Sequence, residues 1–406
     1  MDRGTSVLVV GAGPAGLTAA ITAAQRGYRV IMLDGNRLPG RKLLLTGKGR
    51  CNLTNACDND LMISNILHNG KFLINALYQF GSSDTIAFFA SLGLPTKTER
   101  GNRVFPASDQ ARDVLDVLLN IADKAGVDFR SERVIQVSHE RGIFQIKTTS
   151  SLYHSSRLII ATGGMSYPAT GSTGDGYRWA AALGHRIVPT RPALVPLVTS
   201  TAWIKVMNRL LLKNCGVEII SKSGRKLFSG FGEIELDQGM AGGALLLTAS
   251  SQLDSVQGCR LLIDLKPALS PEQLQNRIER EVERKPGLIT ADLLRKLLPA
   301  ALAGIFPQLS NIKPGTRVID LKIKARKRLV ELLKSLPVEL TGHGPFSKAV
   351  ITAGGVDVQE VDPQTMGSRL IPGLYFAGEV LDLDGLTGGF NLQIAWTTGF
   401  VAGSSC

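Results

Sequence analysis

The apolar and polar positions of this chain fall into a small number of distinct runs. Val7 to Val10 are continuously apolar, as a strand buried on both faces requires. The run stops at the glycine-rich turn GAGPAG, a helix follows to near Gly27, and a second apolar run, RVIML, ends on Asp34. Together these predict a strand–turn–helix–strand unit. RLIIATGG is another apolar strand running into glycine, and GSTGDGYRWAAALGH begins a further helix with glycines in and around its first turn. Far downstream, IPGLYFAGEVLDLDGLTGGFNLQIAW reads as strand, carboxylate, glycine pair and helix.

The region between reads differently. PTRPALVPL is a proline-punctuated exit, VEIISKSGRKLFSG and CRLLIDLKP are short strand-like runs, and Pro271 to Leu336 is helical with proline and glycine interruptions. AVITAGG then returns to the first pattern. The expectation is an α/β fold with one domain made of residues 1–189 and 347–406. An inserted substrate domain splits it at 190–346, β-rich over about 190–268 and helical over about 269–340.

The first unit carries chemistry. Gly11, Gly13 and Gly16 fit G-x-G-x-x-G, with Ala15 inside the turn. Glycine there permits the tight turn, close approach of backbone to a pyrophosphate, and close helix–strand packing. The helix N-terminus adds free N–H groups and partial positive charge, and Asp34 stands where a carboxylate would accept from ribose hydroxyls. A long dinucleotide such as FAD, held also at its ribityl and ring ends, accounts for the later segments. Thr162 and Gly163 close the second glycine strand, and Gly378, Glu379, Asp384, Gly389, Phe390 and Asn391 lie on the returning one. Glu379 and Asp384 are placed to bond the ribityl chain, and the helix starting near Asn391 to aim N–H groups at the flavin ring.

Composition narrows the classes. Hydrophobic residues are 44% and charged residues 20%, ordinary for a globular chain. No signal-like segment precedes SVLVV and no run is long enough to span a bilayer, so a cytoplasmic, membrane-free protein is expected. The five cysteines show no C-x-x-C and the five histidines no H-E-x-x-H, so neither a disulfide scaffold nor a metal is expected. The net charge of +12 is uneven: residues 313–334 hold eight basic and two acidic side chains, half the excess. Lys324, Arg326, Lys327 and Arg328 within it are candidate nucleic-acid contacts, against the plainer reading of a solvated helix face. GRKLLLTGKGRCNLTN, residues 40–55, carries Arg41, Lys42, Lys48 and Arg50 with no acid. Arg41, Lys42 and Arg50 are candidates for cofactor phosphate or an anionic substrate. Cys51 is either a proton donor beside a reduced flavin or a small buried residue in a tight loop.

The sequence resembles the FAD flavoprotein family that contains the bile-acid-inducible flavoproteins and the bacterial ribosomal RNA dihydrouridine synthase. GAGPAGL, PGRKLLLTGKGRCNLTN, NRVFPASDQARDVLDVL, ATGGMSYPATGSTGDGY, RPALVPL and VITAGGVDVQEVDPQTMGSRLIPGLYFAGEVLDLDGLTGGFNLQIAW carry the resemblance across nearly the whole chain. It implies a Rossmann-like FAD-binding domain of the two-dinucleotide type, an inserted substrate domain, FAD as cofactor and NAD(P)H as transient reductant. Where the family usually has a Thr-His pair and then Ser-Gly-Pro, this chain has Leu236-Asp237 and Ala241-Gly242-Gly243. Substrate identity therefore does not transfer with the motif.

Three function classes follow. The first is reduction of an activated C=C bond, in a uridine of 23S ribosomal RNA or in a steroid-like enone; the basic stretch favours RNA. An oxygen-using amine oxidase and a flavin-containing RNA-binding module are the others. No stable protein partner is implied.

Overall fold

The computed structural model describes residues 6–406; the start of the chain, where a leader was looked for, lies outside the described residues. The chain divides into two compact units, one running to Ala193 and resuming at Phe346–Cys406, the other Leu194–Pro345.

The first unit is built on five parallel strands: β1 (Ser6–Val10), β2 (Arg29–Asp34), β3 (Asp128–Ser131), β4 (Arg157–Ile160) and β5 (Leu374–Phe376), in the order β5-β4-β1-β2-β3. Register is set by the central strand, where Val7 faces Arg157 on one side and Val30 on the other. Val7 to Val9 are at most 1% exposed, and each such side chain contributes about 1.5–3 kcal/mol on burial. Helix α1 (Pro14–Gln25) starts with proline in its first turn, where the missing N–H costs nothing, and stops before Gly27 at φ 90°. Helix α2 (Phe390–Ser405) lies against it. A Cβ on Gly399 would stand 2.4 Å from the Ala15 carbonyl oxygen, and one on Gly403 2.4 Å from that of Ala19. Glycine at both places lets the two backbones touch. Trp396, one turn before Gly399, is also buried, its indole N–H donating to the Leu53 carbonyl at 2.9 Å.

The proline-punctuated exit is itself a strand, Ile187–Ala193, antiparallel to Ile351–Val356 with a register shift between Val188 and Arg191. Pro189 and Pro192 sit there because a bulged two-strand pairing leaves positions that need no N–H.

The second unit is a closed six-stranded barrel, ordered Leu197–Thr199, Met240–Gly242, Lys226–Asp237, Leu210–Ile220, Arg260–Asp264 and Leu336–His343. Four helices, Pro271–Arg284, Thr290–Leu297, Ala300–Ser310 and Ile323–Lys334, separate its last two strands. The expected helical stretch therefore ends two residues early: Leu336 begins a strand, and Leu336, Val338 and Leu340 point inward on alternate positions to close the barrel. Among the described residues no helix is long and apolar enough to cross a membrane. No group of three or more His, Cys, Asp or Glu among them could hold a metal ion.

Candidate active site

The main cleft opens where β1, β2 and β4 end, in the first unit. Gly11 turns the chain out of β1 at φ 104°, and a Cβ there would meet the Ala161 carbonyl oxygen at 2.4 Å. Gly16 packs against the turn itself, its notional Cβ only 1.9 Å from the Gly11 oxygen. Gly13 is different, for nothing lies within 4 Å of the Cβ position. Gly13, Pro14 and Ala15 thus present the uncapped start of α1 to open space.

Asp34 closes this end. One carboxylate oxygen accepts from Ala12 N at 2.8 Å and the other from Asn36 N and Nδ2 at 2.7 and 2.9 Å. Asn36 also accepts from Arg41 at 2.9 Å. A second hollow continues from here past Arg133, Val134 and Trp179, sharing Gly11, Asp34, Asn36, Thr162 and Gly171 with the first. The two together form a trough of about 1070 and 620 Å³, counted out to their mouths. Thr162 and Trp179 are among its lining, and their Oγ1 and Nε1 atoms are buried with no partner among the described residues.

Toward the other end stands a charged cluster. Lys42 Nζ donates to Glu379 Oε2 at 2.6 Å and to Ser166 Oγ at 2.5 Å. Glu379 Oε1 accepts from Ser166 Oγ at 2.9 Å and Thr352 N at 2.8 Å, and Thr352 Oγ1 accepts from Met165 N and Ser166 N. Tyr177 donates to the Glu379 carbonyl at 3.2 Å, and burial pushes its phenol well above the usual range. Asn391, Leu392, Ile394 and Ala395 give one face of α2's first turns to the cleft, and Leu383 joins them.

Eleven of the expected cofactor residues therefore line one trough: Gly11, Gly13, Ala15, Asp34, Arg41, Lys42, Thr162, Gly163, Gly378, Glu379 and Asn391. Five do not. Gly16 is a packing glycine. Arg50, expected on phosphate, is taken by Glu99 at 2.9 and 3.0 Å and Asp109 at 3.1 Å, and stacks 3.9 Å over the Phe105 ring. Asp384 is fully enclosed and bonded to His68 instead of facing the cleft. Gly389 is pressed on Thr54, where a Cβ would meet the backbone at 2.3 Å, and Phe390 is buried.

Cys51 is also off the cleft. It is 0% exposed at φ 61°, behind Thr46, whose carbonyl accepts from Cys51 N at 3.0 Å while Thr46 itself reaches the cleft wall. Burial pushes the thiol up to about 12. A group so enclosed does not exchange a proton with substrate, and the acid expected at Cys51 is corrected to a core residue of the loop. Asn36, Ser166 and Thr352 were missed; only Asn36, two residues past Asp34, left a local signal.

In the second unit, Lys324, Lys327 and Arg328 are exposed on Ile323–Lys334, opposite buried Leu329, Val330, Leu332 and Leu333. Arg326 is half-buried and donates to the Ile319 carbonyl at 2.6 Å, so it serves the turn before the helix. Arg317 is paired with Asp320 and Lys334 with Asp264.

A parallel sheet with an uncapped helix start, a trough for an extended ligand and a Lys–Glu cluster along it define a flavoprotein-type oxidoreductase of Rossmann architecture. The chain belongs to the family of the HI0933-like protein Rossmann domain, which matches residues 5–405. It is 32% identical to the 3-dehydro-bile acid delta(4,6)-reductase of Clostridium scindens over 97% of each chain. It is 31% identical to the ribosomal RNA dihydrouridine synthase of Escherichia coli over 96% of this chain and 95% of that one. A solved 3-ketosteroid-delta4-(5alpha)-dehydrogenase from Rhodococcus jostii RHA1 shares the fold, with a TM-score of 0.52 at 16% identity over 98% of this chain and 97% of that one.

Proposed function

We propose that the chain is an FAD-dependent reductase that draws hydride from NAD(P)H and adds hydrogen across an activated C=C bond, with a uridine of 23S ribosomal RNA as substrate. The observation that carries the cofactor is the trough itself: nothing lies within 4 Å of the Cβ position of Gly13, which leaves room for an anion over the start of α1. Gly13 and Ala15 would take the pyrophosphate on free N–H groups, Asp34 and Asn36 the ribose end, and Lys42, Glu379 and Asn391 the ring end. FAD, when bound, supplies a carrier that accepts hydride from a nicotinamide and returns it to an alkene. The chain's own part is to hold and orient that carrier in the trough. Lys42, already in place and partnered by Glu379 and Ser166, fixes a positive charge near it without reorganisation.

The names of these two relatives, a delta(4,6)-reductase and a dihydrouridine synthase, favour this reaction over amine oxidation or simple binding. The exposed Lys324, Lys327 and Arg328, with no ion pair among the described residues, favour a polyanion. RNA as substrate would place the protein in the cytoplasm. A steroid-like enone is the second reading, favoured by the bile-acid reductase similarity. Nucleoside mass spectrometry of ribosomal RNA from a deletion strain and a complemented strain decides: dihydrouridine should disappear and return. An unchanged dihydrouridine level in the deletion strain overturns the RNA reading.

A further inference from the structure

Proton supply is left open by the enclosure of Cys51, and another group in the first unit has the features it lacks. The short strand Ile66–His68 pairs antiparallel with Asp384–Gly385, and His68 stands opposite Asp384. His68 Nδ1 meets Asp384 Oδ1 at 2.5 Å. The Asp384 side chain is 0% exposed and the imidazole 41% exposed, so a hidden carboxylate holds a reachable ring. Asp384 Oδ2 is buried with no partner among the described residues. A lone enclosed carboxylate strongly favours a cation beside it.

The other charges facing the ring act on both sides: Asp382 also favours imidazolium and Arg191, from the strand Ile187–Ala193, opposes it. The bond to Asp384 outweighs burial and Arg191, and the ring titrates above the ordinary histidine range. Asp382 is itself fixed, its carbonyl and Oδ2 both accepting from Asn69 Nδ2 at 2.9 Å, and its carboxyl is raised by burial. With Nδ1 occupied, Nε2 has no partner among the described residues and carries the available proton.

Neither His68 nor Asp384 lines the cleft itself, but the dyad adjoins it: Leu383, next to Asp384 in the chain, lines it, and so does Asn391, whose side chain accepts from Gly385 N at 2.8 Å and donates to Gly385 O at 2.7 Å. We propose that His68, oriented by Asp384, donates the proton that completes hydrogen addition to the substrate's double bond. The proposal rests on the reductase reading above. FAD, were it bound, would supply the hydride for one alkene carbon from NAD(P)H, with the π-electron pair moving toward the other carbon. The Nε2–H bond of the imidazolium breaks as the C–H bond at that second carbon forms. Solvent then returns a proton to the neutral ring.

The test uses the flavin-loaded protein, a 23S ribosomal RNA transcript and a conjugated cyclic enone as probes, and His68→Gln. Flavin content and anaerobic bleaching by NAD(P)H should match wild type, since neither needs the proton. Reoxidation by whichever probe wild type reduces should slow about 10²-fold or more. Wild-type reoxidation should fall as pH rises through the raised histidine range, and the variant should lose that fall. His68→Ala should regain rate on adding imidazole. In an NMR titration the His68 ring should ionise at lower pH in Asp384→Asn than in wild type. A His68→Gln enzyme with wild-type rate and pH profile sinks the donor assignment and leaves the reductase intact. A wild-type enzyme reoxidised by neither probe sinks the reductase reading and this proposal together.

Discussion

Substitution of Gly13 and Gly11 separates the part of the turn that meets ligand from the part that meets protein. A methyl on Gly13 finds no atom within 4 Å, and the residue's φ of −80° and ψ of −176° suit any side chain. Alanine is a poorer helix cap than glycine but reduces unfolded-state freedom, and the two effects offset to within about 1 kcal/mol. The cofactor-free Gly13→Ala protein should therefore melt within about 2–4 °C of wild type. At Gly11 the same methyl stands 2.4 Å from a carbonyl oxygen at φ 104°, and a cost of about 3–5 kcal/mol is expected. Binding should order them differently. In Gly13→Val the larger side chain holds an anion off the free N–H groups of α1. Losing two charge-assisted hydrogen bonds at about 1.5 kcal/mol each weakens flavin binding about 10²-fold. Thermal melts of stripped protein and fluorescence titration with FAD measure both quantities. Full flavin occupancy in Gly13→Val, or a stripped Gly13→Ala as unstable as Gly11→Ala, would refute the reasoning.

NADH or NADPH should bleach the bound flavin without oxygen; bleaching by dithionite and by neither nucleotide would remove the nicotinamide from the reaction. Cys51→Ala should leave turnover within about twofold while lowering stability by about 1–2 kcal/mol, and a 10²-fold loss of turnover would restore the thiol as an acid. Lys324→Glu combined with Lys327→Glu should preserve folding and flavin content, weaken binding of an RNA fragment, and reduce its salt slope by about one for each phosphate that is no longer neutralised. Wild-type affinity and slope in that variant would make the helix only a solvated face.

What the sequence made legible is what lies close along the chain. Gly11, Gly13 and Asp34 belong to one strand–turn–helix–strand unit, so spacing alone brings them to one cleft. Arg50 was misplaced because the carboxylates that claim it stand 49 and 59 residues away, on a hairpin and just beyond it, invisible to local pattern. Asp384 was misplaced for the same reason, since its histidine is 316 residues distant. Cys51 could be read either way until packing showed the loop folded over it. The strand from Leu336 was hidden because its alternation is short and follows a helix directly, and only pairing with Leu197–Thr199 and Arg260–Asp264 gives it a place. Gly389 and Phe390 stand at the start of the right helix but meet Thr54 and the core.

The contact of α1 with α2 also orders events during synthesis. Ala15 and Ala19 have their closest backbone neighbours in Gly399 and Gly403. Strand β5, an outer member of the sheet, also emerges late. The residues of Leu194–Pro345 are contiguous and can collapse once translated, whereas the sheet unit waits for α2. At 5–20 residues per second, that wait is roughly 20–80 s after α1 leaves the ribosome. Throughout it, the buried face of α1 and one edge of the sheet stay uncovered. A nascent chain in that state is a substrate for holding chaperones, and slowing translation between Ala193 and Phe346 should raise aggregation of the sheet unit more than of the barrel.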